Sequence, residues 1–268
     1  MKKFINTGSK DTRSGFGSGL AELGRKNKNV VALCADVAPP TESDLFKNIF
    51  PDRFYMTGIA EANTIGLASG MARMGDIPFV HSFCVFITRR AFDQIAMQIA
   101  YPKTNVKLIG FLPGITTALG VSHQAIDDLA LMRALPNMCV IEPSGPEQID
   151  SVINQIYKFN GPVYVRQNRA NRFYDKNELK DFEIGKCYVE KKGKDIAIFS
   201  CGLMVEESLK AANLLNEEGI NAYVINVSTI KPLKDPLICD IVNDCKYFVT
   251  AENHSVCLLY TSDAADEE

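Results

Sequence analysis

The chain has no CxxC pair, no GxxxxGK[ST] loop and no GxSxG turn, so the usual nucleotide-loop and serine-nucleophile signatures are unfilled. No apolar run approaches the ~18 residues that a membrane span requires. Basic surplus is missing too: 29 Lys and Arg stand against 32 Asp and Glu, giving a net charge of −3, and the cations are scattered. Nothing in that balance supports nucleic-acid binding. The opening MKKFINTGSKDTRSG carries three lysines, two of them directly after Met1, but no apolar segment, which argues against a secretory signal. The three histidines (His81, His123, His254) and the cysteines lack metal-ligand spacing. The eight cysteines are dispersed, and Cys34, Cys84, Cys139 and Cys201 sit in apolar runs as small core residues. That usage fits a reducing cytoplasm. The stretch SGFGSGLAELG is rich in glycine, yet it does not match GxGxxG and no strand precedes it.

What is present is rhythm. VVALCAD (30–36), IPFVHSF (77–83), VKLIGF (106–111), MCVIEP (138–143) and PVYVRQ (162–167) read as strands. Helical patterns lie between them at about 12–27, 61–73, 86–100, 125–134 and 146–158. Such alternation predicts an α/β fold with doubly wound, mostly parallel sheets. Residues 168–192 are polar and interrupt the rhythm, which resumes with strands at 195–200, 222–227 and 247–250 and a helix at 204–218. The expected organisation is therefore a first domain over 1–170, a linker over 171–192, a smaller second domain over 193–256, and a tail, 257–268, that follows neither period. In open parallel sheets ligands bind beyond the carboxyl ends of the strands, so the loops after Asp36, Phe83, Phe111 and Arg166 are the places to look for chemistry.

Glu61 poses the sharpest question. It heads TGIAEANTIGLASGMA, an almost uncharged stretch that reads as buried. An ionised carboxylate in a dry interior needs a partner. One reading is a first-turn helix carboxylate favoured by the macrodipole, although a capping box would need Ser or Thr where Gly58 stands. The other is a carboxylate facing a cofactor nitrogen at a strand-to-helix turn.

Taken in order, PDRFYMTGIAEANTIGLASGMA, IPFVHSFCVFITRRAFDQI, SHQAIDDLALMRALPN and GPVYVRQN resemble the transketolase family, and the likeness extends over about residues 10–256. More closely, the chain resembles the C-terminal subunit of a split transketolase. The resemblance implies that the first domain binds the pyrimidine half of thiamine diphosphate and that the second is mainly structural and dimer-forming. It further implies that Glu61 hydrogen-bonds the ring nitrogen of the cofactor's aminopyrimidine and so activates it, its charge being compensated only when cofactor is bound. Phe86 corresponds to the aromatic that stacks on that ring, with Phe83 as a supporting wall; the two are three residues apart and share a helical face if the helix begins there. His123 corresponds to a histidine touching the sugar's oxygens, and Arg166 and Arg13 to arginines holding the substrate's phosphate.

Two departures from the family pattern bear on substrate. Leu119 stands where an aspartate would touch the sugar, and Pro40 where a serine would touch phosphate. The family holds the diphosphate and Mg²⁺ through GDG and a later Asn, and this chain has no GDG. The resemblance thus implies a partner subunit carrying that motif and the Mg²⁺ ligands, in a two-plus-two assembly that moves a two-carbon ketol unit between sugar phosphates. Three rivals stand beside it: the beta subunit of a 2-oxo acid dehydrogenase decarboxylase, a deoxyxylulose-phosphate synthase, and a non-catalytic protein that keeps the fold.

Overall fold

Runs of β-branched and apolar residues become strands here because both faces of the sheet they join are covered. The computed structural model describes residues 14–168 and 181–255. The first part of the chain forms α1 (Phe16–Lys26), β1 (Val30–Cys34), α2 (Asp44–Ile49), β2 (Phe54–Met56), α3 (Glu61–Arg73), β3 (Ile77–Phe83) and α4 (Cys84–Arg89). It continues through α5 (Phe92–Gln94), which runs into a π-helical turn at Ile95–Ala100, then β4 (Lys107–Phe111), α6 (Asp128–Ala134), β5 (Cys139–Ile141), α7 (Ile149–Lys158) and β6 (Val163–Gln167). The remainder supplies β7 (Tyr188–Lys191), β8 (Ile196–Ser200), α8 (Met204–Glu217), β9 (Ala222–Asn226), β10 (Thr229–Lys231), α9 (Pro236–Asp244) and β11 (Tyr247–Ala251).

The first sheet runs in the order β10-β5-β6-β4-β3-β1-β2 and is parallel except for β10, which lies antiparallel to β5. The second runs β11-β8-β9-β7, with β7 antiparallel to β9. The α/β expectation is met, with most pairs parallel. Every residue of β1, β3, β4 and β6 is buried, which is why these segments read as continuous apolar runs rather than alternating ones.

Three features depart from the sequence reading. The helix expected over 86–100 starts at Cys84 and breaks at Ala91, whose φ of −120° and ψ of 18° lie outside the helical well. The segment expected to be linker contributes β7 to the second sheet. And β10, from the expected second domain, completes the edge of the first sheet, where Glu142 N also donates to Ser228 O at 2.8 Å. Lys231 on β10 fixes this crossing by donating to Arg133 O (2.7 Å) and Leu135 O (2.6 Å), at the carboxyl end of α6.

The glycine-rich opening is explained by packing. A Cβ on Gly17 would come within 2.1 Å of Glu42 O, and one on Gly24 within 2.6 Å of the Phe46 ring. These glycines let α1 approach the loop and helix that follow β1. Gly17 N in turn donates to the Glu42 carboxylate at 3.1 Å, satisfying one of the N–H groups that the buried first turn of α1 leaves without a helical partner.

Candidate functional site at the strand ends

Because β1, β3, β4 and β6 are parallel and in register, their carboxyl ends lie along one edge, with Phe83 paired to Phe111 and Gly110 to Arg166. Glu61 reaches this edge through a tightly sewn turn. Thr57 N and Thr57 Oγ1 both donate to Cys34 O at the end of β1 (3.0 and 3.1 Å), and Thr57 Oγ1 shares a 2.6 Å hydrogen bond with Thr64 Oγ1 on α3. Gly58 takes φ of 73°, a backbone state that other residues adopt at a cost, and Ala60 N closes back onto Gly58 O at 2.8 Å. The chain then enters α3 with Glu61 as its first residue. There the helix N-terminus favours its charge.

Glu61 is 5% exposed and is not alone. Arg90 Nη1 donates to Glu61 Oε1 at 3.1 Å. The expectation that its charge has no partner in the absence of a cofactor is therefore corrected: a second residue of the same chain supplies a cation. Arg90 is four residues after Phe86, so the two share a helical face, and its Cζ lies 4.0 Å from the Phe86 ring centroid. The arginine thus touches both Glu61 and the Phe86 ring.

Phe83 and His123 close the group. The His123 ring lies 5.0 Å from Phe86 and 5.9 Å from Phe83, and the two phenylalanines are 5.9 Å apart, centroid to centroid. Phe83 ends β3 and α4 begins only at Cys84, so the condition for a shared helical face is unmet and the two rings meet across a strand-to-helix corner. His123 belongs to the loop after β4, which leaves the strand through Leu112 at φ 58°, a strained value for a bulky side chain. The far end of the chain pins that loop. Asn253 Oδ1 accepts from Ile115 N (3.1 Å), Asn253 Nδ2 donates to Pro113 O (3.2 Å), and Ser255 N donates to Ile126 O (3.0 Å). Gly114 is required there, since a Cβ would lie 2.0 Å from the Asn253 side chain. At the base of the loop, Arg89 Nε holds the Asp127 carboxylate at 2.8 and 3.0 Å.

Arg166 does not join this group. It is fully buried, with Nε and Nη2 on Asp128 (2.8 and 3.0 Å) and Nη1 on both oxygens of Glu142 (3.0 and 3.1 Å). Nη2 also donates to Ala125 O (3.1 Å) and Asn253 O (2.8 Å). Tyr164 Oη on the same strand donates to Asp128 Oδ2 at 2.7 Å, and Cys201 Sγ to Glu142 Oε2 at 3.2 Å. Two carboxylates hold the Arg166 guanidinium well above its ordinary pKa against the burial that opposes it, while burial first and Glu142 second push the Cys201 thiol well up. With every donor engaged, the expected phosphate contact is corrected: Arg166 joins β6, α6 and the two sheets instead. Arg13, the other expected phosphate ligand, and the tail at 257–268 lie outside the described residues.

Sequence reasoning missed Arg90, Asp128 and Glu142. Only Arg90 carried a local signal, its i,i+4 spacing from Phe86. Among the described residues no group of three His, Cys, Asp or Glu side chains converges as a metal site. Nor is any helix among them long and apolar enough to cross a membrane.

The family model for the transketolase pyrimidine-binding domain matches residues 8–173, and that for the transketolase C-terminal domain matches residues 185–258. The chain belongs to the transketolase family. A 6-deoxy-6-sulfo-D-fructose transketolase subunit from Clostridium sp. (strain MSTE9) is 40% identical over 88% of this chain and 74% of its own length. Human transketolase is 36% identical over 91% of this chain but only 40% of its own length. Among solved structures, one described as a split gene transketolase, inactive beta4 tetramer, superposes with a TM-score of 0.84 at 38% identity, covering 96% of this chain and 86% of that one. This transketolase-family chain therefore carries both the pyrimidine-binding and the C-terminal domain.

Proposed function

We propose that the chain supplies the pyrimidine-binding half of a thiamine diphosphate site in a two-subunit transketolase, which moves a two-carbon ketol unit from a ketose phosphate to an aldose phosphate. The observation that carries this reading is Glu61: a buried carboxylate at a helix start, placed beside an aromatic face at the carboxyl edge of a parallel sheet. A planar, nitrogen-bearing ring fits this pair, because a planar, nitrogen-bearing guanidinium already occupies the same two contacts. Glu61 would hold a proton at the ring nitrogen of the aminopyrimidine. Phe86 would stack on the ring, backed by Phe83, a contact worth about 0.5–1.5 kcal/mol beyond burial. When bound, thiamine diphosphate supplies the nucleophile for cleaving and remaking the carbon–carbon bond. His123, half-buried against both phenylalanines, would meet the sugar's oxygens, and Arg13 its phosphate.

The diphosphate and Mg²⁺ are assigned to a complementary N-terminal subunit bearing GDG and a downstream Asn, in a two-plus-two assembly. The surface that α3 shares with the π-helical turn supports such docking. Ser69 Oγ on α3 donates to Gln98 O at 2.9 Å, which sets α3 beside the π-helical turn. The outer faces of this pair carry the exposed Leu67, Met74, Met97 and Tyr101. The solved relative described as an inactive beta4 tetramer fits a chain that needs a partner. Leu119, 57% exposed in the loop beside His123, offers no hydrogen bond to a sugar hydroxyl and points to a substrate unlike that of relatives with an aspartate there.

Titration with thiamine diphosphate, with and without the complementary subunit, tests the half-site directly. Tight binding is expected only in the complex. In that complex Glu61→Gln should lower ketol transfer by about 10²–10⁴-fold with the circular dichroism spectrum unchanged. Near-normal turnover in that variant would overturn the reading, and so would a complex that binds no cofactor.

A further inference from the structure

Arg90 makes, within one chain, the same two contacts that the proposed function gives to the aminopyrimidine. Its guanidinium carbon lies over the Phe86 ring, 4.0 Å from the centroid, and an N–H goes to Glu61 Oε1 at 3.1 Å. Both groups are planar, and both would set a nitrogen-bearing edge against the carboxyl group while lying over the same aromatic ring. Two such bodies cannot occupy one Phe86 face and one Glu61 oxygen together. We propose that Arg90 is an internal stand-in for the cofactor ring, which keeps Glu61 paired until the aminopyrimidine displaces it. The inference rests on the reading of Glu61 and Phe86 as aminopyrimidine contacts, and adds a residue that competes for them.

Three observations make displacement feasible. Arg90 is 48% exposed, so its charged end can move into water without leaving a buried cation behind. Among the described residues its one side-chain hydrogen bond goes to Glu61, so displacement breaks only that bond and the contact with the Phe86 ring. And it sits at the carboxyl end of α4, just before the break at Ala91, where side-chain movement does not disturb a continuing helix. The neighbouring Arg89 behaves differently, since both of its short contacts go to Asp127 at the base of the His123 loop. One arginine of the pair anchors the loop, and the other covers the pocket.

The consequence is a built-in competition. A site whose competent form is only partly populated binds its ligand more weakly by that fraction, so a pocket closed nine-tenths of the time loses a factor of about ten in affinity. In return, the cofactor-free chain avoids an unpaired buried carboxylate, which is costly.

The test uses the complex of this chain with its complementary subunit and calorimetric titration with thiamine diphosphate. Arg90→Met should bind about five- to thirtyfold more tightly than the parent. Arg90→Lys, which keeps the charge but not the flat face, should fall between the two. The cofactor-free Arg90→Met chain should also unfold at a lower temperature than the parent, with the gap closing at saturating cofactor. An Arg90→Met affinity equal to or weaker than the parent's would overturn the stand-in. Glu61→Gln and Phe86→Ala, titrated alongside, separate the two levels of inference. If they weaken binding while Arg90→Met fails to tighten it, only the stand-in falls. If neither changes affinity, the aminopyrimidine reading falls and takes the stand-in with it.

Discussion

Arg90 and Arg166 both stand beside buried carboxylates, and their surroundings give the two pairs opposite uses. Arg166 is enclosed on every side, with two carboxylates and two backbone carbonyls around one guanidinium. Arg90 is half in water, holds one carboxylate oxygen and rests on one ring. A saturated, fully buried cation resists replacement, because any ligand must first undo six hydrogen bonds. A half-exposed cation with one bond is exchangeable. The difference teaches that charge type and sequence position say little about whether an arginine meets substrate, whereas the number of donors already engaged says a great deal.

The comparison can be broken most forcefully at Arg166. Removing one member of a buried ionic cluster leaves the others unpaired, so Arg166→Met should lose about 3–5 kcal/mol of stability, read by denaturant unfolding, and express poorly at 37 °C. A variant with parental stability would mean that the cluster is not what joins the two sheets.

A second, smaller effect concerns His81 on β3, a buried imidazole with Nδ1 on Thr41 O (3.2 Å) and Nε2 without a hydrogen-bond partner among the described residues. Burial lowers its pKa from 6.5 to about 4. The unfolded chain therefore binds more protons than the folded one between those values, and stability rises with pH across that window. Acidification from pH 6.5 toward pH 4 should remove up to about 3 kcal/mol. His81→Phe, which keeps the packing against Phe16 and Phe111, should flatten that acid limb. Superimposable limbs for parent and variant would assign the acid sensitivity elsewhere.

The smallest effect is expected at the exposed Arg89–Asp127 pair. Asp127→Asn should change stability by less than about 1 kcal/mol, and the change should vanish in 1 M salt, since exposed ion pairs are screened and weakly stabilising. A loss as large as that of Arg166→Met would erase the distinction between enclosed and open pairs.

Much of the fold could be read from sequence. The bounds of α3 and β3 coincide with the expected 61–73 and 77–83, because one is an apolar-faced helix after a glycine turn and the other a continuous apolar run. The short elements could not. β10 is three residues long and exists because β5 offers it an edge, while β7 is half-buried along its whole length and shows no alternation. At the site, Glu61, Phe83, Phe86 and His123 were legible through the resemblance of their motifs, and the structure brings them together with Arg90. The burial of Arg166 was not legible. VYVRQ looks the same whether its arginine faces a ligand or a carboxylate, and the acceptors that decide it lie 38, 24 and 87 residues away.

The strand that crosses between the sheets limits how this protein can be recombined. A graft that swapped everything after residue 185 for the matching region of a relative would also swap β10, and with it the hydrogen bonds that cover β5 and the lysine that caps α6. An ill-matched donor would leave a bare strand edge, a template for association with other chains. Successful exchanges should therefore inherit β5 and β10 together, as one unit split across distant codons.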